Sequence, residues 1–188
     1  MTIPSSGRSW NFIGGSRGPW RISTIKPVVG PPLPLVDRLD IRNEAPLPNP
    51  EPSGWVLRGV TSNVRYVTRK EMDQLQARPA LLGRQHSSRA ALIPIRKSAA
   101  WWNLGQDERR RIFEEQSHHT AIGLRYLPEI ARRLHHCRDL GSSEPFDFLT
   151  WFEYAPEHAG LFEDLVGALR DSEEWKYVDR EVDIRLMR

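Results

Sequence analysis

Cysteine is almost missing from this 188-residue chain, in which Cys137 is the one thiol. An intrachain disulfide is therefore excluded, and packing must hold the fold together. The two histidines that precede Cys137 do not suggest an activated thiol, because a strand sends neighbouring side chains to opposite faces. We interpret Cys137 as a structural residue.

Long apolar runs are missing as well. The first twenty residues contain no basic segment followed by an apolar one, which is the pattern of a secretory signal. No stretch approaches the roughly 20 apolar residues that a membrane-spanning helix needs. The sequence therefore predicts a cytoplasmic protein with no membrane partner.

Charge of one sign is not in excess. The 27 basic and 24 acidic residues are interspersed and leave a formal net charge of +3. The sequence contains no zinc finger, basic helix or aromatic RNA-binding pattern, so nucleic acid is not an expected partner. The length suits one domain, with a core large enough to enclose a cofactor.

Proline and glycine are abundant in the first 54 residues. Short apolar pieces at residues 20–25 and 33–41 could be strands, and the segments around them are typical of turns or extended linkers. We interpret residues 1–54 as an arm packed on a main domain that comprises residues 55–188.

The main domain shows a regular succession of patterns. The predicted elements are a strand at 55–68, a short helix at 70–77, a strand at 89–95, a helix before 123, a strand near 130–135, a strand at 146–154, a helix around 161–169 and a strand at 177–186. Pro94 inside its strand predicts an edge position or a bulge. The order strand, helix, strand, repeated once, predicts an α+β fold with a ferredoxin-like antiparallel sheet and helices on one face.

A histidine pair lies on the helix that is predicted to begin near Asn103 or Gly105 and to end at Gly123. Steps of three and four residues from His119 meet mainly uncharged positions, whereas the same steps from His118 meet mainly charged ones. His119 is therefore predicted to face inward and His118 outward. An inward histidine is either a core residue bonded to a backbone carbonyl or a functional one, and the helix alone leaves both interpretations open.

An arginine follows thirteen residues after His119, on a predicted strand. Alternation places Arg132 on the same face as Ile130 and Leu134, which is the apolar side. A guanidinium keeps its proton, so on a buried face it needs a carboxylate or a bound anion. The residues alone do not decide between an ordinary ion pair and an anion site.

Many short segments occur in an order and spacing that are typical of one family. They are RAALIPIRKSAAWW, DERR, SHH, YLP, IAR, FDFLTWFEYAPEH, FEDLV, LR and EEW. In these segments residues 55–188 resemble chlorite dismutase, specifically its short subfamily from nitrite-oxidising and related bacteria. The resemblance implies the dimeric α+β barrel superfamily, one haem b per subunit on the sheet face opposite the helices, and a homodimer.

The resemblance also implies roles for individual residues. His119 would bind the haem iron, Arg132 would be the distal catalytic residue, and Glu174 would accept a hydrogen bond from the imidazole, with Glu173 as the alternative if the alignment slips by one residue. The remaining residues that it places near the haem are Ile93, Pro94, Ile95, Arg96 and Lys97 along its edge, Lys97 and Tyr66 as propionate donors, and Trp101 with Trp102 near the haem or the subunit contact.

The sequence departs from the family at one position. Many members of the short subfamily carry a glutamine that restrains the distal arginine, and the alignment places Pro79 there. Gln74 or Gln76 could take that position only with a shift of register. How Arg132 is held is therefore left open by the sequence.

The activity that the resemblance implies is conversion of chlorite to chloride and dioxygen, with formation of the oxygen–oxygen bond. Oxygen transfer to iron would give a ferryl species and hypochlorite, which recombine. Two alternatives are a coproheme decarboxylase, against which Arg132 argues, and a non-catalytic haem-binding or sensing protein. A zinc site is a weaker alternative, because adjacent side chains diverge; its residues would be His118, His119, His135, His136 and Cys137.

Overall fold

The computed structural model describes residues 7–43, 54–61, 68, 69, 73, 77, 81–141 and 143–188. Eight strands within these residues form a closed barrel in the spatial order β1-β3-β2-β8-β5-β7-β6-β4. The strands are β1 (Ser9–Gly15), β2 (Trp20–Val29), β3 (Arg38–Arg42), β4 (Trp55–Val60), β5 (Arg89–Lys97), β6 (Ala131–His136), β7 (Phe148–Tyr154) and β8 (Val178–Met187). Every pairing between neighbours is antiparallel.

The second half of the chain has the predicted ferredoxin-like arrangement, because β5 to β8 lie side by side in the order β8-β5-β7-β6 with helices in both crossovers. The helices are α1 (Ala99–Asn103), α2 (Gln106–Arg110), a π-helix (Arg111–Gln116), α3 (His119–Arg125) and α4 (Ala159–Arg170). Short 3-10 turns occur at Arg138–Leu140, Pro156–His158 and Glu173–Tyr177. No helix in the described part of the chain is long and apolar enough to cross a membrane.

The first half of the chain closes the barrel. β1 pairs with both β3 and β4, and β2 pairs with β8 over most of its length. Phe12 and Leu39 are fully buried in the same apolar cluster as Leu92 and Leu149. The boundary expected at residue 54 therefore does not separate an arm from a main domain, because the sheet and its core are continuous across it.

The part of the sheet formed by β5, β7 and β8 is largely buried on both faces. Along β7, Leu149 and Trp151 face the barrel interior, while Phe148, Thr150 and Phe152 face the helices. The strand predicted at 146–154 is confirmed over Phe148–Tyr154, and its side chains alternate between the two faces. The strand β5 packs against apolar neighbours on both faces. Its sequence is therefore a nearly continuous apolar run and does not alternate.

Pro94 does not lie at a sheet edge, which corrects one expectation. Its strand, β5, lies between β7 and β8, and Pro94 is opposite Leu149 of β7. Pairing with β8 is interrupted between Leu92 and Ile95, so the missing N–H of Pro94 falls in a gap of that ladder. A register shift follows between Arg96 and Lys97.

The predicted long helix before Gly123 is also wrong, since the chain forms three short pieces there. A π-helix interrupts it, and His118 has a left-handed φ of 50° before α3 begins at His119. The buried carboxylate of Glu114 accepts hydrogen bonds from the backbone N–H of Thr120, at 3.4 Å, and from its hydroxyl. Glu114 thereby caps the restarted helix, and Gly123 lies inside α3 rather than after it.

Several sequence-based expectations lie outside the described residues. Tyr66, Gln74, Gln76 and Pro79 are among them. Of the helix predicted over residues 70–77, the structure describes two positions, and both are helical.

Residues of β1 should contribute to a single cooperative core. Phe12→Ala is expected to lower the free energy of unfolding by about 3–5 kcal/mol, because Phe12 is fully buried. Leu35→Ala, in the same half of the chain but 78% exposed, should change it by less than about 0.5 kcal/mol. Equal effects of the two substitutions in denaturant titrations would contradict the closed barrel.

Candidate active site

A cavity of about 1020 Å³ lies between the helices and the outer face of β5, β6 and β7. Its wall is mostly apolar and includes Ile93, Ile95, Phe148, Phe152, Val166 and Leu169. This size is at the upper end of the range for cofactor sites. The cavity is on the helix side of these strands, whereas the resemblance predicts a haem on the opposite face, which packs into the barrel interior.

His119 is the first residue of α3 and lines this cavity. Its Nδ1 lies 2.7 Å from Oε2 of Glu174, and its ring stacks on Phe113 at a centroid distance of 4.2 Å. His118 is exposed, so the predicted directions of the two histidines are confirmed. The alternative partner, Glu173, is paired with Lys176 on the surface.

Lys97 holds Glu174 from the other side. Its Nζ donates to Oε1 of Glu174 at 2.8 Å and to the backbone oxygen of Glu174 at 3.2 Å. The ammonium also lies 4.7 Å from the ring centre of Trp101, and the backbone N–H of Lys97 donates to Asp147 at 2.7 Å. This corrects the expected role of Lys97, whose ammonium is buried against Glu174 rather than directed to a propionate.

These contacts determine the ionisation of Glu174. Burial by itself would raise the pKa of its carboxyl, but the charges of His119 and Lys97 and their hydrogen bonds outweigh burial and lower it to about 2. An ionised carboxylate can only accept, so Nδ1 of His119 donates to it. In the neutral imidazole the proton is then on Nδ1 and the lone pair of Nε2 is left for a metal ion, which is the arrangement that a ligating histidine needs.

Arg132 lies on β6 and lines the same cavity. Within the described residues its guanidinium has no hydrogen bond or ion pair, and burial alone lowers the pKa of Arg132. The group still carries its charge, because arginine does not release its proton in proteins. Among the described residues no carboxylate pairs with this arginine, and a bound anion would satisfy a charge in this position.

The residues expected along the cofactor edge divide between the two faces of β5. Ile93, Ile95 and Lys97 line the cavity. Pro94 is buried without lining it, and Arg96 pairs with Asp179 at 2.8 Å in an exposed ion pair. The structure therefore does not bring Pro94 or Arg96 to the cavity.

Both expected tryptophans line the cavity. Trp101 is 2% exposed and packs edge-on against Tyr177. Trp102 stacks on Phe148, and its Nε1 donates to Asp147 at 3.2 Å. The side chain of Asp147 thus ties the end of β5 to α1, a role that sequence reasoning missed.

The zinc alternative is not supported. The described residues contain no group of three or more histidine, cysteine or acidic side chains that could hold a metal ion. His135 packs against Phe12 in the barrel interior, whereas His136 lines the cavity. Burial raises the pKa of the Cys137 thiol, which agrees with a structural cysteine.

The fold and the site together define a class of protein: an α+β barrel with an apolar, cofactor-sized cavity, lined by the oriented imidazole of His119 and by the guanidinium of Arg132, which has no carboxylate partner in the described part of the chain. The sequence profile of the family described as chlorite dismutase matches residues 50–187. The chain belongs to this family.

Comparison with relatives agrees with this assignment. A crystal structure of dimeric chlorite dismutase from Nitrobacter winogradskyi has 59% sequence identity and a TM-score of 0.86, and the match covers 95% of this chain and 99% of that one. A structure of chlorite dismutase from Candidatus Nitrospira defluvii in complex with imidazole has 29% identity and a TM-score of 0.59, over 72% of this chain and 56% of that one.

A curated chlorite dismutase from Ideonella dechloratans is 30% identical over 123 residues, which are 63% of this chain. The matched region spans 40% of the length of that relative.

The buried carboxylate should make stability depend on pH. Because the pKa of Glu174 falls from 4.5 to about 2 on folding, its contribution is fully present above the unfolded value and is lost as pH falls toward 2. The shift corresponds to at most about 3 kcal/mol. Glu174→Gln should therefore lose less free energy of unfolding than the wild type between pH 6 and pH 3, as measured by denaturant titration.

Glu173→Gln is the matched control, because that carboxylate is exposed and pairs with Lys176 on the surface. Its acid dependence should follow the wild type. If Glu174→Gln also follows the wild type, the carboxylate is not held in its ionised form by the fold.

Proposed function

We propose that this protein binds haem b in the cavity and converts chlorite to chloride and dioxygen. The observation that carries the proposal is that His119 and Arg132 line one apolar cavity, the first oriented by a buried carboxylate and the second without a carboxylate partner among the described residues. Membership in the chlorite dismutase family supports the choice of reaction.

The residues present fit a haem. Nε2 of His119 is the donor for iron, and the apolar side chains of the wall, such as Ile93, Phe148 and Val166, are suited to contact a porphyrin. Bound there, haem supplies the iron at which the chlorine–oxygen bonds of chlorite are broken and dioxygen is formed. Glu174 and Lys97 keep the imidazole in one tautomer and one orientation, and the negative charge of Glu174 makes it a stronger donor.

Arg132 acts on the anion. Its fixed positive charge in an apolar cavity attracts a small anion without requiring a proton, and low surrounding polarity strengthens that attraction. The same charge favours retention of any negatively charged chlorine oxide until the reaction is complete. No further titratable side chain is needed for this role.

We also propose that the protein is a homodimer. The relative from Nitrobacter winogradskyi, which matches over 95% of this chain, is described as dimeric. Light scattering on the purified protein should give twice the 21.7 kDa mass of one chain. A mass of one chain at micromolar concentration would reject a stable dimer.

The ligand assignment predicts opposite results for adjacent histidines. His119→Ala should lose the haem absorption spectrum, because the donor to iron is removed. His118→Ala should keep it, since His118 is exposed and its side chain makes no cap for α3. Reconstitution with haem followed by absorption spectroscopy decides the matter, and the reverse result would show that the ligand is misassigned.

Arg132→Ala should keep haem but lose chlorite turnover by on the order of a hundredfold, or release more hypochlorite. An oxygen electrode measures turnover, and a chlorination trap measures release. Arg125→Ala is the control, because it removes an exposed arginine from the end of α3. Oxygen production and release that match the control would reject the role of Arg132.

Two other outcomes would identify a different function. Loss of propionate carboxyls from ferric coproporphyrin would indicate a coproheme decarboxylase. A normal haem spectrum without oxygen release from chlorite would indicate a haem-binding or sensing protein.

A further inference from the structure

A second, smaller cavity of about 330 Å³ lies in the barrel interior, on the other face of the sheet from the candidate active site. This volume is at the lower end of the range for small-molecule sites. Its wall contains aromatic rings, one imidazole and one carboxylate, which belong to Trp10, Phe12, Trp20, His135, Trp151 and Glu153. Neither His119 nor Arg132 lines it, so the proposed function does not use this cavity.

His135 is 1% exposed and lines the smaller cavity. Its Nδ1 donates to the backbone oxygen of Leu149 at 3.1 Å. Burial lowers the pKa of His135 to about 4, so at neutral pH the imidazole is uncharged and its one proton is on Nδ1. The buried Nε2 is then an acceptor, and it has no hydrogen-bond partner among the described residues. Because a buried unsatisfied acceptor is costly, Nε2 calls for a donor in the cavity.

Trp10 contributes the complementary group. Its ring meets that of His135 edge-on, with the centroids 5.9 Å apart, and it lines the same cavity. Nε1 of Trp10 can only donate, and this buried atom also lacks a partner within the part of the chain that the structure describes. A single hydroxyl group satisfies both atoms, because its proton donates to Nε2 and its oxygen accepts from Nε1.

The rest of the wall is suited to an aromatic body. Trp20 and Trp151 meet edge-on at a centroid distance of 5.2 Å, and Phe12 lies 6.2 Å from Trp151. A further aromatic ring packs favourably against such rings in edge-on or offset contacts. The carboxylate of Glu153 already accepts from Nε1 of Trp151, at 2.9 Å, and from the backbone N–H of Gly83, at 2.6 Å.

Two guanidiniums limit the charge of a ligand in this cavity. Arg133 lies over the ring of Trp10 at 4.7 Å and Arg188 over the ring of Trp20 at 4.3 Å, and both arginines line the cavity. Their positive charges disfavour a cation. An ionised carboxylate is disfavoured as well, because it has no proton to donate to the uncharged imidazole. An uncharged hydroxyl compound remains.

We propose that the barrel interior contains a second binding site, which takes a small uncharged hydroxyaromatic compound of the phenol class. The hydroxyl donates to Nε2 of His135 and accepts from Nε1 of Trp10, and the ring packs among Phe12, Trp20 and Trp151. This inference does not rest on the proposed function. The two sites are neighbours, since Trp10 lines both cavities.

The ligand class is tested by fluorine NMR titration of the full chain with para-fluorophenol. We expect saturable binding at one site with a Kd of about 1 mM or tighter. Para-fluoroanisole, whose oxygen accepts but does not donate, should bind roughly tenfold more weakly. No saturable binding would show that the cavity holds buried water only, and equal affinities for the phenol, the anisole and fluorobenzene would show an apolar cavity. Either result overturns the proposal.

His135→Phe tests the acceptor, because it removes Nε2 and keeps a ring. It should weaken binding of para-fluorophenol by on the order of tenfold and leave fluorobenzene unaffected. Trp10→Phe removes the donor and should also weaken the phenol, which keeps the test decisive if one variant does not fold. His86→Phe is the matched control, since His86 is exposed and does not line the cavity. Phenol binding by both cavity variants that equals the control would reject the site.

The location is tested by repeating the titration after haem loading. Because His135 does not line the larger cavity, haem should leave the affinity for para-fluorophenol unchanged, and the indole N–H proton resonance of Trp10 should shift on binding. A phenol that haem displaces lies in the larger cavity, and that result would overturn the proposal. Failure to take up haem would reject the proposed function and leave this test intact.

Discussion

The carboxylate of Glu174 is the contact on which the site depends, because it joins three parts of the chain that are distant in sequence. It lies in the turn before β8, receives Lys97 from the end of β5, and orients His119 at the start of α3. A buried carboxylate without these partners would be costly, and Lys97 without Glu174 would be a buried cation. The three groups therefore stabilise one another, and the hydrogen bonds among them fix the orientation of the imidazole.

Local sequence patterns predicted the elements whose apolar and polar residues repeat with a regular period. The alternation of β7 and the outward direction of His118 follow from neighbouring residues, and the structure confirms both. Short apolar pieces suggested strands where β2 and β3 lie, but β1 gave no such signal, and the pairing of all three into the barrel depends on partners that local patterns do not reveal. The π-helix escaped detection for a related reason: a count in steps of three and four assumes an unbroken α-helix.

The sequence allowed the residues of the candidate site to be named, but it revealed fewer of the contacts that they make. His119, Glu174 and Arg132 could be named from the family resemblance, and the hydrogen bond between the first two is present. The role of Lys97 could not be inferred, because it depends on a partner 77 residues away. The close approach of the Arg132 guanidinium to Gly123, where an added Cβ would overlap it, was equally hidden, since a glycine near the end of a predicted helix suggests a cap.

Closure of the barrel by strands of the same chain has a consequence for assembly. The groups that orient the imidazole, the arginine and the apolar wall named above all come from one polypeptide. On the functional proposal, binding of the prosthetic group and association with a second copy would then be separate events, each with its own equilibrium. If dilution dissociated such a dimer, each subunit would keep an intact cavity.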